Sequence, residues 1–441
     1  MTATYAIRRK KKTGGYEEPT APIDASVFAE RTNLFTGLAE FVDIHGPPTP
    51  LECDLLAIAA GIFAADRASK RGEREDLSRR IDLHVPVHCL SELLPQVPLL
   101  QRILRDLSQD HWNLVFSQMK SDSDIQTITE ESIDKTVGMG STLLFSGGLD
   151  SLAAAVEFGG DDLLLVSHVT RNTVTDRAQT GLVKLLEQAG LSSNHNQYFV
   201  SSSNAPPYKI EHAVEASQRT RSFVFLTLGA LAARRNGHRE LLMMAENGQM
   251  AIHLPLTSGR IGAFSTHTAN PTVLAEMESF LSTVLQFGLK IRNPYVYKTK
   301  AEVVSVILKN LPNSIELSTS CWKNTRITEH GATHCGECIP CYIRRIAVEV
   351  DRVDPTVYAR DVWALNISGL PPDDDGRRNL LDLLEFVRRF LTGHSDDLMC
   401  EFPELYSSEF DGAKALDMYK RFASEATAVF KNYPEVAKLL K

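Results

Sequence analysis

Two stretches of the chain bring together residue types that could do chemistry. In Thr142 to Ser151, TLLFSGGLDS, residues of strand character run into two glycines and then into a segment, LAAAVEF, that reads as helix. A strand, glycine loop and helix start make an anion site. Gly147 and Gly148 can take backbone angles closed to other residues, and the free N–H groups of the helix start point at bound negative charge. Ser146 and Ser151 add hydroxyl donors, while Asp150 stands either to cap the helix or to hold Mg²⁺ against phosphate oxygens. The string lacks the lysine of a Walker loop.

The second stretch is SCWKNTRITEHGATHCGECIPCYIRR, with Cys321, Cys335, Cys338 and Cys341. Three thiolates at C-x2-C-x2-C spacing, joined by a fourth from a preceding loop, can close a tetrahedral shell around Zn²⁺. Such a shell has no open position, so its role would be structural. An iron–sulfur cluster uses the same spacing, and His330 or His334 could replace one thiolate. Cys53 and Cys89 read as buried apolar residues.

Composition limits what these motifs can serve. A chain of 441 residues with 43% hydrophobic and 23% charged residues is an ordinary globular composition, long enough for two or three domains. The longest apolar run, Leu55 to Ala65, is too short to span a bilayer, and a cytoplasmic enzyme is expected. A net charge of −8 and a pI near 5.9 give no global field for nucleic acid. The cluster Arg8 to Lys12 reads as part of a solvated tail.

The elements that must position the motifs follow from periodicity. Residues 1–20 read as a flexible tail and 21–140 as a mainly helical N-terminal domain with one strand, Ile81 to Val87. Residues 141–350 alternate strands and helices, which predicts an α/β doubly wound parallel sheet. Residues 351–441 read as a helical C-terminal extension, with Asp373 to Asp375 in a solvated loop.

In a doubly wound sheet, ligands bind beyond the carboxyl ends of the strands. The residues there are Ser146 to Ser151, His168 to Arg171, and Glu246, Asn247 and Gly248. His168 reads as a hydrogen-bonded structural residue. The Glu246–Gly248 string suits either contact with a base edge or a tight turn. Arg219 and Arg221 precede an apolar helix, where an arginine could neutralise phosphate charge, and Lys300 opens another helix. Arg344 and Arg345, after the cysteines, either face the phosphates or cap the surface.

SGGLDS resembles the pyrophosphate loop of the PP-loop ATP pyrophosphatases. With RSFVFLTLGALAA, PYVYKTKAE and SC…CGECIPCYIRR in the same order, the chain from about 140 to 350 resembles the 7-cyano-7-deazaguanine synthase (QueC) family. The resemblance implies ATP, Mg²⁺ and Zn²⁺ as cofactors, and activation of the carboxylate of 7-carboxy-7-deazaguanine for attack by a nitrogen nucleophile. It implies ATP binding by Phe145, Ser146, Gly147, Gly148, Leu149, Asp150, Ser151 and Leu152. It also implies zinc on the four cysteines, Arg221 and Lys300 near the phosphates, and Asp150 essential. The family's YPDCR substrate segment has no match in GAFSTHTANP, and the flanking regions are foreign to the stand-alone synthase. Such embellished chains are similar to QueC-like proteins of bacterial antiviral defence operons, some of which join a deazaguanine to a partner protein. The acceptor is therefore either ammonia or a protein amine. A PP-loop tRNA-modifying enzyme and a nucleotide-binding scaffold are the other readings carried forward.

Overall fold

The computed structural model describes residues 2–440 apart from 72–77, 135, 137, 161, 170–172, 192–193, 204–214, 216, 239–241, 258–266, 325–326 and 328–330. Eleven strands form two sheets among the described residues. They are β1 (Thr2–Lys10), β2 (Tyr16–Glu17), β3 (Ser26–Ala29), β4 (Leu34–Thr36), β5 (Arg80–Val87), β6 (His111–Gln118), β7 (Ser141–Leu144), β8 (Leu163–Val169), β9 (Asn194–Ser202), β10 (Leu242–Met243) and β11 (Ile291–Arg292).

The larger sheet runs β11-β10-β7-β8-β9-β4, and all of its neighbours are parallel except β4, which pairs antiparallel with β9. Its central strands β7 and β8 are apolar on both faces, as a sheet covered by helices on each side requires. Leu143, Leu163 and Leu165 enter one hydrophobic cluster with the helices Leu149–Glu157 and Lys300–Asn310. Leu144, Leu164 and Val166, the residues between, enter another with the helices Pro50–Ala68, Arg221–Arg235 and Pro271–Leu285. From β7 the chain moves outward through β8 and β9, then returns to the other side of β7 with β10. The strand order therefore reverses between β7 and β10, and a crevice opens beyond their carboxyl ends.

The smaller sheet, β2-β1-β5-β6 with β3 also on β1, is built wholly from the first 118 residues. Two expectations are corrected here. Residues 2–10 are a strand with Tyr5, Ala6 and Ile7 buried, not a flexible tail. Within the basic run, Arg9 is buried between Glu30 (2.6 Å) and Asp54 (3.0 Å). A charge run read as a block hides the fact that alternate side chains of a strand point to opposite faces. Residues 21–140 hold more strands than the one expected: β3 and β4 are too short to show a period, and β6 alternates buried and exposed positions along HWNLVFSQ.

The helix Pro50–Ala68 lies between the two sheets and is buried around almost its whole circumference. Gly61 lets it approach β1 closely, since a Cβ there would lie 2.1 Å from Ile7 Cδ1. A capping box of Thr49 and Glu52 starts it. At the opposite end of the molecule, helices Asp375–Thr392 and Gly412–Phe430 share a core with the helix Ile339–Glu349 and with Ile252 and Leu254.

Candidate active site

The glycine loop stands at the strand-order reversal. β7 ends at Leu144 and the helix Leu149–Glu157 begins after Gly148, with no side chain capping its first N–H groups. Gly147 has φ +80°, and a Cβ there would lie 3.1 Å from Gln179 Cγ. The loop is braced from behind: Thr319 N donates to Gly147 O (3.0 Å), and Ser151 Oγ donates to Gly148 O (3.1 Å). The open amides thus face the crevice, where an anion would gain from the positive end of the helix.

Asp150 sits inside the first turn and does not cap the helix, so the capping role is excluded. Its Oδ2 accepts from Lys300 Nζ (2.5 Å) and from Asn247 Nδ2 (3.1 Å), and its Oδ1 has no partner among the described residues. Lys300 is the first residue of its helix, held by a Thr299–Glu302 capping box. A cation is disfavoured at that positive end, so the pairing with Asp150 offsets a local cost. A fold that keeps such a lysine there places it for something other than helix stability.

Asn247 caps the helix Gly248–Ile252 through its Oδ1, which fixes its amide so that Nδ2 faces both Asp150 and Glu246 Oε1 (3.3 Å). Burial, then the Asp150 charge, raises the Glu246 carboxyl well above the usual range, against the opposing pull of Lys300. Gly248 is a packing residue: a Cβ there would meet Val296 O at 2.5 Å. Ser146, Asp150, Glu246, Asn247 and Lys300 line one cleft of about 610 Å³, together with Thr319, Ser320 and Trp322. An apolar cleft of about 640 Å³ adjoins it, sharing Met250, Trp322 and Ile343 and extending to Phe386, Tyr419 and Phe422 of the C-terminal helices. Asp150, with its free Oδ1, and Glu246 beside it, next to open helix amides, offer the hard oxygen donors that would suit Mg²⁺ near phosphate.

Residues 219–350 match the family model described as Queuosine biosynthesis protein QueC. This stretch is QueC-like. The match starts after the glycine loop, so the QueC-like assignment and the geometry of Ser146–Ser151 are independent observations. No curated protein matches the chain. ATP use is the chemistry of the QueC family, and Asn247, Lys300 and all four cysteines fall within the matched residues. No helix among the described residues is long and apolar enough to cross a membrane.

The four cysteines of this QueC-like domain form one buried group whose Sγ atoms all lie within 4.8 Å of one another. Cys335 and Cys341 Sγ are 3.8 Å apart, close to the roughly 3.8 Å edge of a tetrahedron with Zn–S bonds of about 2.3 Å. A four-iron cluster would stand between its thiolates and hold them farther apart, so the spacing fits a single ion such as Zn²⁺. His334 is no ligand: its Nε2 accepts from Ser320 N (3.1 Å) and its Nδ1 meets Thr333 Oγ1 (2.9 Å). His330 lies outside the described residues. The thiols pull one another apart in acidity. Hydrogen bonding within the group lowers Cys321 and Cys335, and the Cys321 thiolate raises Cys338 and Cys341, so only a cation would let all four ionise.

Arg221 does not join this cleft. It begins the helix Arg221–Arg235 with its guanidinium 5.2 Å from the Phe225 ring centre, near the end of β8. His168 Nε2 donates to Val200 O (2.8 Å), and the ring is packed between Phe63 and Phe225. Arg171, like Gly262 to Thr266 of the diverged substrate segment, lies outside the described residues. Arg344 is fully buried and faces no cleft, holding Ser318 Oγ, Ile315 O and Thr356 Oγ1 and so fixing the chain that leads to Thr319. Arg345 pairs with Asp361 and Glu349 and lies over Trp363 and Tyr433. Thr319 and Trp322 had no sequence signal beyond their closeness to Cys321.

Proposed function

We propose that the protein adenylates the carboxylate of a 7-deazaguanine, 7-carboxy-7-deazaguanine being the leading candidate, and passes the acyl group to nitrogen. The observation that carries this reading is the meeting of Asp150, Glu246, Asn247 and Lys300 at the point where strand order reverses, against an uncapped glycine-loop helix. In the first step a carboxylate oxygen attacks the α-phosphorus of ATP and the bond to the bridging oxygen breaks, releasing pyrophosphate. In the second, an amine attacks the acyl carbon and AMP leaves with its oxygen.

The protein's part is positioning and charge. The amides after Gly148, with the Ser146 and Ser151 hydroxyls, take phosphate oxygens. Lys300 would move from Asp150 toward the departing pyrophosphate, and Asp150 with Glu246 would hold Mg²⁺, whose charge would favour their ionised forms and neutralise the phosphates. The proton that the amine loses passes to the departing AMP or to solvent. The apolar cleft beside Trp322 would take the flat face of the substrate. The four cysteines would hold Zn²⁺ and, through Thr319, steady the back of the glycine loop.

The test is mass spectrometry after incubation with ATP, Mg²⁺ and 7-carboxy-7-deazaguanine, with and without ammonia and candidate protein acceptors. AMP with an amide, a nitrile or a mass-shifted acceptor protein is the expected result. Intact ATP with every acceptor would leave only a nucleotide-binding scaffold.

A further inference from the structure

We infer that Arg67 and Arg221 form a second oxyanion-binding site at the carboxyl end of β8, to which the N-terminal region contributes half. Arg67 ends the helix Pro50–Ala68 and Arg221 begins the helix Arg221–Arg235, far apart in sequence. The residues just before them are locked together. Asp66 Oδ2 accepts from both the N–H and the hydroxyl of Thr220, each at 3.0 Å, and Asp66 Oδ1 takes Arg79 Nη2 at 2.5 Å. Asp66 is thereby held as a clamp; its charge still favours the Arg67 cation from a distance, but it makes no hydrogen bond to either arginine.

Past the clamp, four side chains form a ladder around His168. Arg67 lies 5.6 Å from the Phe63 ring centre, and Phe63 meets the His168 ring edge-on at 5.7 Å. On the other side His168 meets Phe225 edge-on at 5.4 Å, and Arg221 lies 5.2 Å from the Phe225 centre. Neither guanidinium makes a hydrogen bond or ion pair among the described residues, and both Nε atoms are buried without a partner. Burial and the other arginine's charge lower Arg221 to about 10, and burial, Arg221 and Arg67 lower His168 to about 3. His168 is therefore a neutral wedge, and adds no third positive charge.

Two partly buried cations near each other, whose acids Asp66 and Asp176 act on them only from a distance among the described residues, are costly, and the cost is relieved when an anion bridges them. Two guanidinium forks and the start of a 15-residue helix match a planar or tetrahedral oxyanion. The site is coupled to the glycine loop by the helix Thr173–Gln188. Asp176 acts electrostatically on Arg221, and one turn later Gln179 Nε2 donates to Ser146 O (3.4 Å). The ligand is the substrate's carboxylate or a phosphoryl group of the nucleotide. The inference rests on the proposed reaction only for that identity. Arg67 lies outside residues 219–350, so the site is assembled from both sheets' helices and is not a property of the QueC-like stretch alone.

The test is calorimetric titration of the full chain with pyrophosphate and, separately, with 7-carboxy-7-deazaguanine. Wild type is compared with Arg67→Gln, Arg67→Met and Arg221→Gln. Methionine keeps the contact with Phe63, so one Arg67 variant remains folded if the other does not. The expected result is a loss of about tenfold or more in affinity for one of the two ligands in both the Arg67 and Arg221 variants. The ligand affected identifies the source of the oxyanion. Wild-type binding of neither, or unchanged affinity for both in variants with the wild-type melting temperature, overturns the site. AMP release, measured in parallel, reports on the proposed reaction alone.

Discussion

The four-cysteine shell and the Asp150 cleft lie on two sides of the same short segment, Ser318 to Trp322, but are built in opposite ways. All four cysteines come from 21 consecutive residues, Cys321 to Cys341, and converge because that segment turns on itself and enters the helix Ile339–Glu349. The cleft takes Asp150, Asn247 and Lys300 from segments 97 and 150 residues apart, and only the parallel sheet brings them together. A local site can be held by its ligand. A dispersed site must be held by the fold, and its residues are free to be chosen for chemistry.

The difference is sharpest under substitution. Cys338→Ser should empty the shell, because a single missing thiolate leaves three buried donors that repel one another once ionised. The chain should lose its metal, read by elemental analysis, and be destabilised by about 3 kcal/mol or more, with lower solubility on chelation of the wild type as the matching result. Retention of stoichiometric zinc and the wild-type melting temperature would remove the structural role assigned here.

Asp150→Asn should do the reverse. Glu246 remains to balance Lys300, so the melting temperature should stay within a few degrees and zinc should stay bound. AMP production should fall on the order of a hundredfold or more, since charge at the phosphates is lost. If turnover survives, the cleft is not where ATP is split.

The same contrast explains what could be read from the amino acids. SGGLDS and C-x2-C-x2-C are contiguous, so residue type and spacing carry their meaning, and the alternation of β7 and β8 was visible as apolar runs. The meeting of Asp150 with Asn247 and Lys300 depends on strand order, which periodicity does not encode. Lys300 was named from the family resemblance, and its partner was not. Arg221 was named by the same resemblance, and its helix starts outside the Asp150 cleft, on the side of Arg67. The first 20 residues were misread because a strand of nine residues with buried Arg9 looks, in sequence, like a basic tail.

The dispersed cleft also depends on the C-terminal helices, and there a pH dependence follows. Glu425, on the helix Gly412–Phe430, accepts from the Thr299 hydroxyl (2.8 Å) next to Lys300. Burial raises its carboxyl to about 7, helped by Glu302 and opposed by the Thr299 hydrogen bond and by Arg421. The folded state therefore prefers the protonated acid. That contribution is complete below the unfolded value near 4.5 and is lost as pH rises through about 7. Glu425→Gln stays neutral and should flatten the profile. Urea unfolding should find it near wild type at pH 5 and more stable by about 2 kcal/mol at pH 8, allowing for partial exposure to water. Parallel profiles for the two proteins would sink the assignment.

The smallest effect is expected where acids are neighbours in sequence without converging on a site. Asp374 caps the helix Asp375–Thr392 through Arg377 N, and Asp375 is half exposed, pairing with Lys323 (2.9 Å) two residues after Cys321. Asp375→Asn removes a pair that water already screens, and Lys323 keeps Glu337 at 2.8 Å. Stability should move by about 0.5 kcal/mol or less, with zinc content and AMP release unchanged. A loss of metal in this variant would mean that the shell is steadied by its surface charges as well as by its thiolates, and the local site would then be less self-contained than its contiguous sequence implies.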